Sequence, residues 1–380
     1  MVLALLAALL PQAGPASAAG PRRGTVVSWS PLARSLWIPG TTGRAFALTY
    51  VTMNASGHKA RSTGTVFIPR GRAPKGGWPV ISWAHGTSGL HDSCAPSRVG
   101  PALPERDWKY LASWMRRGYA VVASDYAGLG TPGLPAYLNG RSTAYNVVDM
   151  VLAAREFAGR HLPPGARLAR KWVTIGQSQG AGAAVYTARY ATEYGGSRLD
   201  YRGAVGTGTP AYIENYLKPL APKVPPMALP PGLTAYLTYI FASLRDVHPE
   251  LGLDGILTPT GRKYLSMAER ECVFTFEKHL KNVSVGDYFT RRPSALPGFD
   301  TTVRAYMGMP ESGFDRPFFM AHGRKDTDVP IPATLAYAGV LKSHREPLTF
   351  KTYPTDHSGT LTASLKDTAP FVKRLFRGRS

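Results

Sequence analysis

The chain has 380 residues, enough for one large α/β domain with an insertion, or for two domains, around a sizeable core. An apolar fraction of 44% excludes a disordered chain, and 40 glycines with 33 prolines imply long structured loops. The formal net charge of +21 permits anionic partners, but the basic residues are scattered, with no long Lys/Arg run and no aromatic-interleaved basic motif. Nucleic acid is therefore not expected as a partner. The charge reads as a solvated surface that favours anionic lipid or cell-wall polymer.

Residues 2–10 form a short apolar run, followed by Pro11 and a small-residue stretch ending Ala16-Ser17-Ala18-Ala19-Gly20. This is the apolar region and the Ala-x-Ala site of a secretory signal, with cleavage expected after Ala18. The run is too short to cross a bilayer, which takes about 20 apolar residues. A positively charged leader region is missing, so either the true start lies upstream or Met1 is misplaced. The expected location is extracellular. Cys94 and Cys272, an even pair in an exported chain, suggest one disulfide, with two buried free thiols as the alternative.

After a lead-in at 21–43, residues 45–54 and 63–69 alternate as an antiparallel hairpin. Residues 78–83 are a short apolar strand ending in Ala84-His85-Gly86. Residues 103–117 follow as a helix with Trp108, Leu111 and Trp114 on one face. Residues 119–126 are a near-continuous apolar strand, as in a sheet buried on both faces. Residues 142–160 make an amphipathic helix, 172–177 a strand, 179–193 a helix and 201–206 a strand. Alternation then stops for about 100 residues, through a proline-dense stretch at 219–231 and an aromatic and aliphatic one at 233–244. It resumes with a strand at 317–322, a helix at 332–343, a strand at 348–353 and a final helix at 360–376. This order predicts an α/β fold with a mostly parallel central sheet, helices on both faces and an inserted cap at the mouth of the site. The expected organisation is a signal peptide at 1–18, a first core part at 19–210, a cap at 211–313 and a second core part at 314–380.

The segment from Trp172 to Ala184 carries the chemistry. A β-branched strand runs into Gly176-Gln177-Ser178-Gln179-Gly180, and small residues then open a helix. That is the strand–turn–helix of a nucleophile elbow, in which flanking side chains would clash and the N–H of Gln179 faces a developing oxyanion. A serine hydroxyl needs an imidazole base, and the base needs a carboxylate to set its tautomer. Elbow serines take these partners in the chain order Ser, acid, His. Of the late histidines His322, His344 and His357, the last sits in a loop after a strand among small residues, free to swing over the serine. The acid is expected at Asp326, delivered by the strand at 317–322, with Asp328 and Asp356 as rivals. A second oxyanion donor is expected in His85-Gly86-Thr87-Ser88-Gly89, from Thr87 or Ser88.

Gly128-Leu129-Gly130-Thr131-Pro132-Gly133 matches a dinucleotide fingerprint, but Pro132 and Pro135 keep it in a loop where a helix should open. No cofactor is expected. His85, His91 and Asp92 form no convincing metal set, and no metal is expected. Asn54 and Asn282 are sequons that matter only in a glycosylating host.

These residues resemble the secretory lipase family, α/β-hydrolases that include the fungal lipase A enzymes. The shared features are His85-Gly86-Thr87, Cys94-Ala95-Pro96-Ser97, Asp125-Tyr126-x-Gly128-Leu129-Gly130, Gly176-x-Ser178-x-Gly180, Asp326-x-x-Val329-Pro330 and His357. The resemblance implies the α/β-hydrolase fold, carboxylic ester hydrolysis, an inserted helical cap and a disulfide from Cys94 to a cap cysteine, which Cys272 fits. The expectation is a secreted serine lipase or esterase, monomeric, acting on acylglycerols or other lipid esters and touching lipid interfaces through the cap. Its catalytic residues would be Ser178, Asp326 and His357. The rival readings are a peptidase or polyester hydrolase with the same triad, an acyltransferase, and a non-catalytic lipid carrier.

Overall fold

The computed structural model describes residues 21–378 apart from residue 226. The expected signal segment at 1–18 lies outside the described residues. Nine strands form one sheet: β1 (Val26–Pro31), β2 (Thr42–Met53), β3 (Lys59–Pro69), β4 (Trp78–Ala84), β5 (Ala120–Ser124), β6 (Leu168–Gln177), β7 (Asp200–Thr207), β8 (Phe318–Gly323) and β9 (Leu348–Tyr353). Their spatial order is β1-β2-β3-β5-β4-β6-β7-β8-β9. The hairpin β2–β3 is antiparallel and joins β5 antiparallel, and every pairing from β5 onward is parallel.

The centre of the sheet is apolar on both sides because helices cover both sides. Val80, Ile81, Val121, Val122, Val173 and Ile175 are fully buried. On one face the helices Gly140–His161 and Gln179–Gly195 pack through Val147, Val151, Ala184 and Ala188. On the other, the helices Pro104–Arg116 and Leu365–Arg377 contribute Leu111, Trp114, Phe371 and Val372. The β-α-β connections carry the carboxyl ends of β4, β6, β7 and β8 to the same edge, where loops from separate parts of the chain meet.

Among the described residues the sheet gains no strand between Thr207 and Phe318. The helices Pro231–Val247, Pro259–Ala268 and Phe299–Met307 enclose an apolar core of their own instead, with Phe241, Phe276, Tyr288, Phe289 and Phe299 buried in it. Leu90 and Tyr137 of the main body join that core, so the insertion is seated and not tethered. A disulfide links Cys94 to Cys272 with a Cα–Cα distance of 5.4 Å. Beside it the Val273 N–H donates to Ser88 O at 2.9 Å, and Gly89 bridges Cys272.

Three elements differ from expectation. The lead-in at 21–43 contains β1, an edge strand exposed along most of its length, whose pattern is therefore too weakly apolar to read. Its Trp29 packs on Phe46 and Phe157. The final helix is two helices, His357–Ala363 and Leu365–Arg377, joined at Ser364, whose hydroxyl donates to Leu361 O at 3.1 Å. His357 consequently opens a helix and does not lie in a loop. Asp356 caps that helix by accepting from the Gly359 N–H at 2.7 Å.

The disulfide closes a loop of 178 residues that includes the elbow and half the cap. Replacing both cysteines with alanine is expected to lower unfolding free energy by about 2–4 kcal/mol. Denaturant titration of the double variant beside wild type measures this; coincident curves would show the cap held without the bridge.

Candidate active site

β6 ends at Gln177 and the next helix starts at Gln179, which leaves Ser178 as the single residue between them. Its backbone sits at φ 60° and ψ −123°, a conformation that costs a non-glycine residue about 1–3 kcal/mol. Tertiary bonds hold it there. The Ser178 N–H donates to Thr207 O at 2.9 Å, and its carbonyl accepts from Ala181 N at 2.8 Å and Gly182 N at 3.2 Å. The flanking glycines are obligatory for space. A Cβ on Gly176 would lie 1.9 Å from Gly180 O, and one on Gly180 would lie 1.9 Å from Ala84 O. Gln179 is the first helical residue, so its N–H has no carbonyl a turn earlier in the helix to donate to.

Asp326 lies in the turn after β8 and is buried. Its Oδ1 accepts from Asp328 N at 3.0 Å and Val329 N at 2.8 Å. Its Oδ2 accepts from His357 Nδ1 at 2.7 Å. His322, at the end of β8, is fully buried, donates from Nε2 to Val329 O at 2.8 Å and sits 3.3 Å from the same Oδ2. Burial pushes the Asp326 carboxyl up, but the hydrogen bonds from His322 and His357, the His357 charge and the Val329 N–H outweigh it and hold the group well below the usual carboxylate range. The remaining ring nitrogen, His357 Nε2, is buried with no hydrogen-bond partner among the described residues. Gly208 makes room for this ring: a Cβ there would lie 2.7 Å from His357 Cε1.

Ser178 lines two cavities. One of about 360 Å³ is almost wholly apolar, walled by Ile213, Leu220, Leu229, Leu233, Leu237 and Ile240. The other, about 300 Å³, is polar and includes Thr87, Arg106, Glu277, Asp328 and His357. Thr87 faces this second cavity, whereas Ser88 is buried behind it. The structure thus brings Ser178, Thr87 and His357 to one cavity, with Asp326 behind the imidazole. His344 lies elsewhere, exposed, with Nδ1 at 2.8 Å from Glu311 O. Of the rival acids, Asp356 is a helix cap and Asp328 faces the cavities. Among the described residues no group of His, Cys, Asp and Glu is arranged to hold a metal ion, and no helix is long and apolar enough to cross a membrane.

Sequence reasoning assigned no role to the residues that hold the His85 loop. His85 stacks on Tyr126 at 4.4 Å, and the Tyr126 hydroxyl donates to His85 O at 3.0 Å. Asp125 accepts from Ser97 N at 3.0 Å and from Thr63 Oγ1 at 2.6 Å, tying the Cys94–Ser97 turn to the end of β5. Tyr137 pairs with Thr87 Oγ1 at 2.6 Å. The Asp-Tyr and Pro-Ser motifs were visible in the sequence, but nothing in it said that they meet. Gly130 donates to Asp92 at 3.0 Å, so the glycine-rich segment at 128–133 docks as a loop, and the next helix starts only at Gly140.

Residues 100–275 match the model of the secretory lipase family. The secretory lipase match spans β5, the elbow, β7 and much of the cap, and it stops before Asp326 and His357. No curated protein sequence matches the chain. Among solved structures, the chain is similar to Candida antarctica lipase A in its closed state, with TM-score 0.74 and 20% identity over 94% of this chain and 83% of that one. A putative hydrolase from Legionella pneumophila gives TM-score 0.74 at 21% identity over 93% and 99%. The rice cell wall degrading esterase LipA from Xanthomonas oryzae gives 0.71 at 17% over 94% and 100%. At these identities the likeness is one of fold: the chain has the α/β-hydrolase architecture.

The low proton affinity of Asp326 has a consequence for acid stability. Its native value lies below the ordinary 3.8, so its contribution is complete above about pH 5 and is lost progressively as pH falls through 3.8 and below. Wild type is expected to lose more stability than Asp326→Asn between pH 5 and pH 3. Thermal unfolding across that range tests this; parallel losses would contradict it.

Proposed function

We propose that this chain is a secreted serine carboxylic-ester hydrolase, a lipase or esterase. The observation that carries the reading is a strained serine at the junction of an apolar and a polar cavity, with the unpartnered Nε2 of a carboxylate-bound imidazole on the wall of the polar one. The secretory lipase match and the lipase and esterase fold neighbours support ester hydrolysis. The family description and the disulfide support secretion.

In this mechanism Asp326 accepts from His357 Nδ1, which leaves Nε2 as the basic nitrogen. Nε2 takes the Ser178 proton as Oγ attacks the ester carbonyl. The N–H groups of Gln179 and Thr87 stabilise the oxyanion, each worth about 2.7–4 kcal/mol in the transition state. The imidazolium then protonates the leaving alkoxide, and water repeats the sequence on the acyl-enzyme. The unpaired Nε2 tightens onto the serine when substrate closes the site, as catalytic hydrogen bonds commonly do. The apolar cavity suits an acyl chain. Tyr216 and Val224, which line it, are exposed, as is nearby Met227, and this rim supports contact with a lipid interface.

A p-nitrophenyl ester series of increasing acyl length tests the reading. Wild type is expected to cleave it and to label with a fluorophosphonate. Ser178→Ala is expected to lose label and about 10⁶-fold in kcat, and Asp326→Asn about 10⁴-fold. Fatty-acid binding without labelling by wild type would favour a lipid carrier.

A further inference from the structure

The two cavities that meet at Ser178 differ in one decisive lining residue, and this inference rests on the proposed triad. The leaving oxygen must come within hydrogen-bond reach of His357 Nε2, which returns the proton to it as the acyl C–O bond breaks and the Ser178 Oγ–C bond completes. His357 lines the polar cavity and not the apolar one. The acyl chain therefore occupies the apolar arm and the leaving alcohol the polar arm.

The charges in the polar arm are unequal. Arg106 is already engaged: its Nε donates to Asp107 Oδ1 at 2.8 Å and its Nη1 to Ser358 Oγ at 3.0 Å. Asp107 balances it. Two further carboxylates line the same cavity: Glu277 from the cap, and Asp328 from the turn after β8, which stands at the junction and lines the apolar arm as well. Neither forms an ion pair or side-chain hydrogen bond among the described residues. Burial pushes both carboxyls up; the Asp328 charge raises Glu277 further, while for Asp328 burial is opposed by the His357 charge and reinforced by the charges of Asp326 and Asp356. Gln177 and His357, each more than nine-tenths buried, add side-chain nitrogens without protein partners, Gln177 Nε2 and His357 Nε2, on the same wall. The chain's net charge of +21 opposes this local sign, but salt screens that field over about 10 Å while the pair acts at contact range.

We infer that the polar arm selects esters whose leaving alcohol carries a positive charge, with Glu277 and Asp328 as the specificity-determining pair. A quaternary or protonated amine a few bonds from the ester oxygen would lie between the two carboxylates while the oxygen faces His357. The cation supplies the partner that both acids lack, and it leaves the arm as part of the alcohol once His357 has protonated the departing oxygen.

The test compares butyrylcholine with 3,3-dimethylbutyl butyrate, its uncharged isostere, on the purified full chain. Wild type is expected to favour the choline ester about tenfold in kcat/KM at low ionic strength. That ratio is expected to shrink in about 0.5 M salt. In Glu277→Gln/Asp328→Asn it is expected to fall to about one. Equal or better use of the neutral ester by wild type, a ratio unmoved by salt, or a ratio unchanged in the double variant would overturn the inference. The salt series on wild type stands even where the double variant folds poorly. Failure of the underlying triad looks different: neither ester would turn over faster than with Ser178→Ala.

Discussion

The close approach of β6 to the helix that follows it is the constraint on which the rest of this structure depends. With hydrogens alone at positions 176 and 180, the backbone turns through one residue, and that residue is pressed into a conformation that a serine does not choose. The bonds from Ser178 to Thr207, Ala181 and Gly182 hold it there, so the strain is stored in the fold and not in a mobile loop. The same close packing leaves the first N–H groups of the helix facing the cleft, where negative charge is favoured. Loosening this contact would lose the angle of the side chain and the direction of the donors together.

Around that turn the molecule is organised by parallel strands that end at one edge. β8 brings Asp326, the segment after β9 brings His357, and the loop after β4 brings Thr87. Each is then fixed by a second set of contacts: Asp326 by two backbone N–H groups and His322, His357 by the helix it opens, and the Thr87 loop by Tyr126 and Tyr137. A buried carboxylate with this many donors stays ionised, and its bonded imidazole keeps one nitrogen committed. The cap, with its own apolar core and a covalent link beside the Thr87 loop, divides the space above Ser178 into an apolar and a polar arm. That division gives the site a direction, since only one arm is lined by the imidazole.

Much of this was legible one segment at a time. The apolar runs at β4, β5 and β6 read correctly because a sheet covered on both faces needs no polar alternation. Gly176 and Gly180 around Ser178 read as an elbow because small residues on both sides of one serine between a strand and a helix have few other uses. β1 was missed because an exposed edge strand carries little apolar signal, and its stability comes from Trp29 packing on distant Phe46 and Phe157. The helix opened by His357 was not legible because Asp356, its cap, is of a residue type that serves equally as a catalytic acid, and only the bond from the Gly359 N–H distinguishes the two. Glu277 had no local signature, since it faces the cavity only once the cap folds down.

What the sequence alone determined is local: which stretches extend, which coil, where the chain must turn without a side chain, and which residue types can donate, accept or transfer a proton. Those properties depend on covalent structure and on neighbours a few positions away. What only the tertiary structure decided is company. Asp326 and His357 are 31 residues apart and share one hydrogen bond, His85 and Asp125 are 40 apart and support one loop, and Cys94 and Cys272 are 178 apart and join cap to core. The polarity of each cavity arm is set in the same way, because a cavity has no sequence of its own and takes its character from whichever distant side chains the packing of sheet and cap leaves facing it.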